Sequence, residues 1–181
     1  AMTPSIPDLV VVGAGLVGLA VAREWSVRRP ADSVAVLERE AGPACHQSRH
    51  NSGVIHGGIY YQPGSLKARL CVEGARLMYE YCDQHGVPHE RCGKLIVAVS
   101  SEELPRLDDL EARGTANAVP GLRRVGPAEI TDIEPNAVGL QALHAPNTGI
   151  VDYPAVARAL VGELTVRGVS VRFGTTVSSI E

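Results

Sequence analysis

LVVVGAGLVGLAVARE, residues 9–24, places a glycine-rich turn between an apolar run and a helix-like segment. The β-branched opening LVVV is typical of a strand that is buried on both faces. Gly13, Gly15 and Gly18 then follow with the spacing GxGxxG, and residues 19–27 are predicted to be helical. A glycine turn between a strand and a helix is the arrangement that binds the pyrophosphate of a dinucleotide.

Each glycine in this turn has its own physical role. Gly13 permits the tight turn, Gly15 lets a pyrophosphate approach the backbone, and Gly18 allows the helix to lie close to the sheet. The first helical residues, Leu16 and Val17, contribute free N–H groups and a favourable helix dipole. We therefore predict that these five residues bind the diphosphate of a cofactor.

An acidic residue ends the second predicted strand, residues 33–38. Glu38 lies 20 residues after Gly18, where a carboxylate accepts hydrogen bonds from ribose hydroxyls. Arg39 adds a cation near the adenosine half of a dinucleotide. The alternative interpretation, a glycine-rich turn that binds no ligand, is disfavoured because the strand, the helix and the terminal acid occur together. This fingerprint alone does not distinguish NAD from FAD.

The composition is that of a globular protein. The 181 residues are 45% hydrophobic, which suits one large domain or a domain and part of a second. The net charge is −3, and no basic run is long enough to recruit nucleic acid or an anionic membrane. No stretch of about 20 unbroken apolar residues predicts a transmembrane helix.

The four cysteines are irregularly spaced and contain no CxxC motif. We expect them to be reduced and the protein to be cytoplasmic, because a chain of this size needs no disulfides. Cys82, His85, His89 and Cys92 have a spacing that a tetrahedral zinc site could use. We predict no metal site, because Gly86 and Pro88 place a helix end and a turn inside this motif.

Residues 41–65 form a polar, glycine-rich segment in place of a further βα unit. Structureless runs of this length inside compact domains are usually functional. Gly53, Gly57 and Gly58 would let the main chain pass close to a flat ligand such as a flavin ring. Three polar side chains would bind the heteroatoms of that ligand: Ser48, Asn51 and Ser52.

Four stretches together resemble the L-2-hydroxyglutarate oxidase or dehydrogenase family, within the D-amino-acid-oxidase-like group of FAD enzymes. They are GAGLVGLAVARE (13–24), VAVLERE (34–40), HQSRHNSGVIHGGIYYQPGSLKARLCVEGARLMYEYC (46–82) and CGKLIVAV (92–99). The resemblance implies FAD as cofactor, a 2-hydroxy acid as substrate, and His56 facing the flavin and the substrate. It also places Val177 beside the adenine through its backbone. The electron acceptor stays open between oxygen, a quinone and a flavoprotein, and peripheral membrane association of the complete enzyme stays open as well.

His56 is the candidate catalytic base. Oxidation of an alcohol requires a base for the hydroxyl proton, and histidine titrates near neutral pH, where such a base works best. Two alternatives stay open, a loop histidine with a structural role and a covalent histidyl–flavin bond. His50 is a weaker candidate base. Lys67 and Arg69 could meet a substrate carboxylate, although an exposed helix face is the favoured interpretation of their charge.

The predicted fold class is α/β, a Rossmann-like FAD-binding domain interleaved with part of an α+β substrate domain that has an antiparallel sheet. Residues 1–88 and 154–181 are assigned to the FAD-binding domain, and residues 89–153 to the substrate domain. The other predicted helices are 65–84, 102–113, a short one within 120–137, and 154–167; the other predicted strands are 94–99, 139–144, 148–153, 169–173 and 177–181. By resemblance the sequence matches about the N-terminal half of such an enzyme. Two further function classes stay open: an FAD-dependent oxidase of another small acid, amine or glycerol phosphate, and a non-catalytic dinucleotide-binding module.

Overall fold

A computed structural model describes residues 6–180, which fold as two compact units. Of the described residues, the first unit comprises 6–53 and 152–180, and the second comprises Val54–Val151. The predicted first boundary at residue 88 therefore differs from the structural one at Gly53. The helix predicted over 65–84 belongs to the second unit, because the short strand that precedes it pairs with strand Gly149–Val151 of that unit.

The first unit is a parallel three-stranded sheet with two helices. Strands β1 (Leu9–Val12) and β2 (Val34–Leu37) pair in parallel, and helix α1 (Leu16–Arg28) connects them, so the predicted βαβ unit is confirmed. The third strand is β9 (Ser170–Arg172), which pairs with the other edge of β2. Helix α5 (Tyr153–Val166) leads into β9 and packs against α1.

The core of the first unit lies between this sheet and its helices. Leu19 of α1, Val36 of β2 and Leu164 of α5 are fully buried. Arg23 and Glu163 join α1 to α5 through an ion pair of 2.8 Å between Nε and Oε2. The α1–α5 contact fixes the helix whose N-terminus follows the glycine turn.

The second unit combines two small antiparallel sheets with three helices. Its first sheet has the order β3 (Val54–Ile55), β8 (Gly149–Val151), β4 (His89–Glu90), and its second has the order β5 (Leu95–Ala98), β7 (Gln141–His144), β6 (Arg123–Val125). The helices are α2 (Leu66–His85), α3 (Leu104–Ala116), which follows a 3₁₀ turn at Ser101–Glu103, and α4 (Pro127–Ile133). The helix predicted over 65–84 is α2, shifted by one residue at each end: Ser65 caps its start, where Ser65 Oγ accepts a hydrogen bond from Ala68 N, and Gly86, left-handed at φ 63°, caps its end.

Three details of the sequence prediction were wrong. Strand β6 was missed because its sequence, Arg-Arg-Val, lacks an apolar alternation. The two-residue strands β3 and β4 were missed because they are too short to show any period. Residues 177–180 form no strand, since the pairing beyond β9 ends with the amide of Thr175 donating to Glu38 O, and Glu181 lies outside the described residues.

The cysteine–histidine motif of α2 does not assemble into a metal site. His85 stacks on Tyr81 with ring centroids 4.2 Å apart, and His89 Nδ1 lies 3.0 Å from Val87 O. Within residues 6–180, no three His, Cys, Asp or Glu side chains are grouped so that they could hold a metal ion. In the same range no helix is both long and apolar enough to cross a membrane.

Candidate functional site

A cleft of about 470 Å³ lies in the first unit, where β1 and β2 end. Its lining comes from the glycine turn, the end of β2, the loop that follows β2 and the chain that follows β9. The lining residues are Val12, Gly13, Gly15, Leu37, Glu38, Arg39, Ala44, Cys45, His46, Gln47, Ser48, Thr175, Thr176 and Val177. Six predicted cofactor-binding residues are thereby brought together: Gly13, Gly15, Glu38, Arg39, Ser48 and Val177.

The glycine turn has the geometry that its spacing predicts. Gly13 has φ +104°, a left-handed conformation that glycine adopts without strain. A Cβ atom on Gly18 would collide with the carbonyl oxygen of Gly13, so only glycine lets α1 start this close to β1. A Cβ atom on Gly15 would lie 3.2 Å from Ser48 Oγ, so Gly15 keeps the mouth of the turn open.

The N-terminus of α1 directly follows Gly15, which lines the cleft, whereas the predicted residues Leu16, Val17 and Gly18 are not among its lining residues. The first intrahelical bond runs from Leu19 N to Gly15 O, so the amides of Leu16, Val17 and Gly18 precede the helical ladder. Leu16 N donates to Ser48 Oγ at 3.1 Å, which anchors the loop after β2 against the helix. The amides of Val17 and Gly18 and the helix dipole favour an anion at this helix end, and their binding of a pyrophosphate stays a prediction.

Glu38 is held at the edge of the cleft by two backbone amides. Ala14 N donates to Oε2 at 2.7 Å, and Glu40 N donates to Oε1 at 2.9 Å. Desolvation alone would raise the pKa of Glu38, but these two bonds and the nearby His46 and Arg39 outweigh it and lower the pKa. The carboxylate is therefore ionised, and each oxygen keeps a lone pair for a ribose hydroxyl.

Arg39, Glu40 and His46 form a charged cluster on the rim of the cleft. Arg39 Nε donates to Glu40 Oε1 at 3.1 Å, and His46 Nε2 lies 2.9 Å from the same oxygen. Arg39 Nη2 lies 3.1 Å from His46 Nδ1. This cluster fixes the guanidinium of Arg39 beside the adenosine side of the predicted site.

Eight of the lining residues were not predicted from the sequence. The missed residues are Val12, Leu37, Ala44, Cys45, His46, Gln47, Thr175 and Thr176. Four of them, Ala44, Cys45, His46 and Gln47, reach the cleft because the loop after β2 folds back onto the glycine turn, where Ala44 N donates to Ala14 O at 3.0 Å. Thr175 and Thr176 follow β9, which pairs with β2. Adjacency to Glu38, Ser48 or Val177 was the available sequence signal for three of the eight, namely Leu37, Gln47 and Thr176.

Asn51, Ser52 and Gly53, which follow Ser48, lie in a loop that is held by its own hydrogen bonds. Asn51 Oδ1 accepts from Gly53 N at 2.8 Å, and Asn51 Nδ2 donates to Ser48 O at 3.0 Å, so Asn51 ties the loop to itself. Ser52 is exposed, and Gly53 has φ +69°. Within the described part of the chain, these three residues are not among those that line the cleft. Their contact with a flavin stays a prediction.

The cleft fits the FAD that the sequence resemblance implies. Open space at Gly13, the close approach that Gly18 permits, the donors at the start of α1 and the ionised Glu38 match a pyrophosphate with an adjoining ribose. Val177 lines the same cleft, beside Thr175 and Thr176. When bound, FAD supplies the acceptor for a hydride, which no side chain of the chain can supply.

His56 lies in the second unit, directly after β3. It is exposed, and with Tyr60, Lys94 and Thr148 it lines a small cavity beside Gly57 and Gly58. Partial desolvation of the ring and the positive charge of Lys94 lower the pKa of His56. His56 is therefore neutral at pH 7 and can accept a proton.

The backbone around His56 requires glycine. Gly58 has φ +94°, and a Cβ atom there would lie 2.8 Å from Val72 Cγ2 of α2. Cys71 Sγ of the same helix lies 3.1 Å from His56 O. The loop is thus packed tightly against α2, which orients His56. His50, the weaker candidate, lies in the first unit, where its Nδ1 is 3.1 Å from His46 O.

Comparison with known proteins agrees with this geometry. Human mitochondrial L-2-hydroxyglutarate dehydrogenase is 52% identical over 174 residues, which cover 96% of this chain and 38% of that protein. The Caenorhabditis elegans protein of the same name is 50% identical over 161 residues, covering 89% of this chain and 37% of that protein. The chain thus spans less than half the length of these relatives.

Among solved structures, L-α-glycerophosphate oxidase from Mycoplasma pneumoniae with FAD bound is similar with a TM-score of 0.87 at 27% identity. The similarity covers 96% of this chain and 46% of that chain. The family model described as FAD dependent oxidoreductase matches residues 8–181. The chain therefore belongs to the family of FAD-dependent oxidoreductases, whose cofactor is FAD.

Proposed function

We propose that the protein containing this chain oxidises L-2-hydroxyglutarate to 2-oxoglutarate with FAD as cofactor. The observation that carries the proposal is the 52% identity over 174 residues to human L-2-hydroxyglutarate dehydrogenase. Because the chain covers 38% of that relative, the proposal concerns the whole protein. The residues described above supply a cofactor cleft in one unit and a neutral histidine in the other.

In the proposed reaction, His56 accepts the hydroxyl proton of the substrate. A hydride leaves C2 as the carbonyl forms, so a 2-hydroxy acid becomes a 2-oxo acid and loses two electrons and two protons. The depressed pKa of His56 keeps its ring nitrogen free for this proton at neutral pH. The first unit binds the nucleotide through Gly13, Ser48 and Glu38 and does not take part in the proton transfer.

The free thiols of all four cysteines favour a reducing compartment, and we propose the cytoplasm as that compartment. The relatives named above are described as mitochondrial, so imaging of a tagged full-length protein would distinguish the two compartments. A mitochondrial signal would contradict the cytoplasmic proposal and leave the proposed reaction untouched.

The test is turnover with an artificial electron acceptor. The FAD-loaded protein should reduce dichlorophenolindophenol with L-2-hydroxyglutarate, form 2-oxoglutarate in equal amount, and discriminate against D-2-hydroxyglutarate. Glycerol 3-phosphate belongs in the same assay, because the oxidase with the TM-score of 0.87 is named for a glycerophosphate. Turnover of glycerol 3-phosphate or of an amino acid in place of L-2-hydroxyglutarate would contradict the proposal, and no turnover with any of them would favour a binding module.

A further inference from the structure

His56 and Lys94 belong to two separate segments of the chain, and both segments lie next to Thr148. His56 directly follows β3, in which Ile55 pairs with Gly149, so His56 lies next to Thr148 in the antiparallel register. On the other side, Gly93 N donates to Thr148 O at 2.9 Å, and Lys94 exchanges two hydrogen bonds with Ala145. The backbone thus brings His56 and Lys94 to one buried hydroxyl residue, since Thr148 is 5% exposed.

Lys94 occupies an environment that favours an anionic partner. Its Nζ lies 4.7 Å from the centroid of the Tyr60 ring, which covers one side of the ammonium. The residue is half-buried, and within residues 6–180 no carboxylate lies within ion-pair distance of Lys94. A partly desolvated ammonium without a counter-ion gains most from a negatively charged ligand.

The space between these groups suits part of a small acid. The cavity lined by His56, Tyr60, Lys94 and Thr148 has a volume of about 10 Å³, close to that needed for a single water. It accommodates one carboxylate oxygen, and the rest of a substrate would lie on the exposed side of His56. In a 2-hydroxy acid the carboxylate is attached to the carbon that bears the hydroxyl, so a cation beside the base can hold both groups in place.

We propose that Lys94 is a positioning residue that binds the C1 carboxylate of the substrate and thereby places its 2-hydroxyl against His56. This inference rests on the proposed oxidation of a 2-hydroxy acid. It also has a consequence for the base: a bound carboxylate offsets the charge of Lys94, so substrate binding raises the pKa of His56 and makes it a stronger base.

Lys67 provides a matched control within the same unit. Its Nζ also lies 4.7 Å from a tyrosine ring centroid, that of Tyr61, but Lys67 is exposed at the start of α2 and does not line the cavity. Replacing Lys67 removes one positive charge and an equivalent cation–π contact, on Tyr61 in place of Tyr60. An effect specific to Lys94 therefore cannot come from net charge alone.

The experiment measures binding of 2-oxoglutarate to the FAD-loaded protein by calorimetry. We expect Lys94→Met to weaken binding about 10- to 100-fold, Lys94→Arg to retain most of it, and Lys67→Met to stay within about twofold of wild type. Binding by Lys94→Met within twofold of wild type, or no binding by the wild type, would overturn the inference. If binding depends on Lys94 but L-2-hydroxyglutarate is not oxidised, the proposed function fails and the carboxylate site stands.

A second measurement does not depend on how the Lys94 variants fold. In wild-type protein, the pKa of His56 followed through its imidazole C–H resonance should rise when 2-oxoglutarate is added. A His56 pKa that 2-oxoglutarate leaves unchanged would contradict the placement of its carboxylate at Lys94.

Discussion

The amide of Ala14 donates a hydrogen bond of 2.7 Å to Glu38 Oε2. This bond joins the glycine turn after β1 to the acid at the end of β2. In the sequence these two features are linked only by their spacing. Because Glu40 N binds the other carboxylate oxygen, the side chain of Glu38 is fixed before any nucleotide arrives. Such preorganisation reduces the entropy that cofactor binding must lose.

Replacement of Glu38 should weaken FAD binding without unfolding the second unit. We expect Glu38→Ala to weaken binding by about 1.5–3 kcal/mol, the scale of a charge-assisted hydrogen bond. Glu24→Ala, which removes an exposed carboxylate paired with Arg28, should change FAD affinity by less than about 0.5 kcal/mol. Titration of FAD into apoprotein measures both, and unchanged affinity in Glu38→Ala would rule out a role of Glu38 in cofactor binding.

Two glycines of the first unit should respond to alanine in opposite ways. A Cβ atom at Gly18 would meet the carbonyl of Gly13, whereas a Cβ atom at Gly162 of α5 would have no atom within 4 Å. We expect Gly18→Ala to lower the free energy of unfolding by about 1–3 kcal/mol. Gly162→Ala should raise it by up to about 1 kcal/mol through helix propensity. Urea unfolding checks both, and an equal effect at the two positions would contradict the proposed close packing at Gly18.

The first forty residues could be predicted well from the sequence because every part of the motif has a local cause. The strand, the turn and the helix follow one another, and positive φ at Gly13 and close packing at Gly18 each require glycine. The cleft was predicted less completely. Thr175 and Thr176 reach it only through pairing of β9 with β2, a contact between residues more than 130 positions apart that no local pattern encodes.

The site around His56 shows the same limit. The glycine-rich loop indicates His56 as a site residue, but the sequence around Lys94 predicts only the start of a strand, since the charge of Lys94 gives no sign of its partner. Its place beside His56 depends on the backbone bonds from Gly93 and Lys94 to the segment that contains Ala145 and Thr148. Such contacts are set by tertiary pairing, and they become visible only in the fold.

The pH dependence of kcat/KM should reflect the depressed pKa of His56. A base acts in its neutral form, so the rate rises with pH and reaches its plateau once His56 has lost its proton. Desolvation and Lys94 lower the pKa of His56 below its ordinary value of 6.5, while Cys71, whose own pKa is raised by burial, contributes no charge beside it. We therefore expect the inflection of kcat/KM below pH 6.5, and an inflection above pH 7 would contradict this assignment.

A preparation of only these 181 residues should be inactive and should self-associate. Val10 and Val12 of β1 are 45% and 57% exposed, and β1 is at an edge of its sheet, where an unpaired strand favours association. A five-carbon dicarboxylate also needs a second cation besides the one proposed at Lys94. Dichlorophenolindophenol reduction beside size-exclusion chromatography tests this, and turnover near 1 s⁻¹ from a clean monomer would contradict it.

We propose His56 as the base of an FAD-dependent oxidation of a 2-hydroxy acid. The most direct measurement is the anaerobic rate of flavin reduction by L-2-hydroxyglutarate in stopped flow, for the FAD-loaded wild type and for His56→Ala. We expect a rate about 10²–10⁴-fold lower in His56→Ala, with FAD still bound and released by acid precipitation in both proteins. A loss of less than about threefold, well below the usual contribution of a general base, would mean that His56 has a structural role. Flavin that stays attached to acid-precipitated wild-type protein would instead indicate a covalent link.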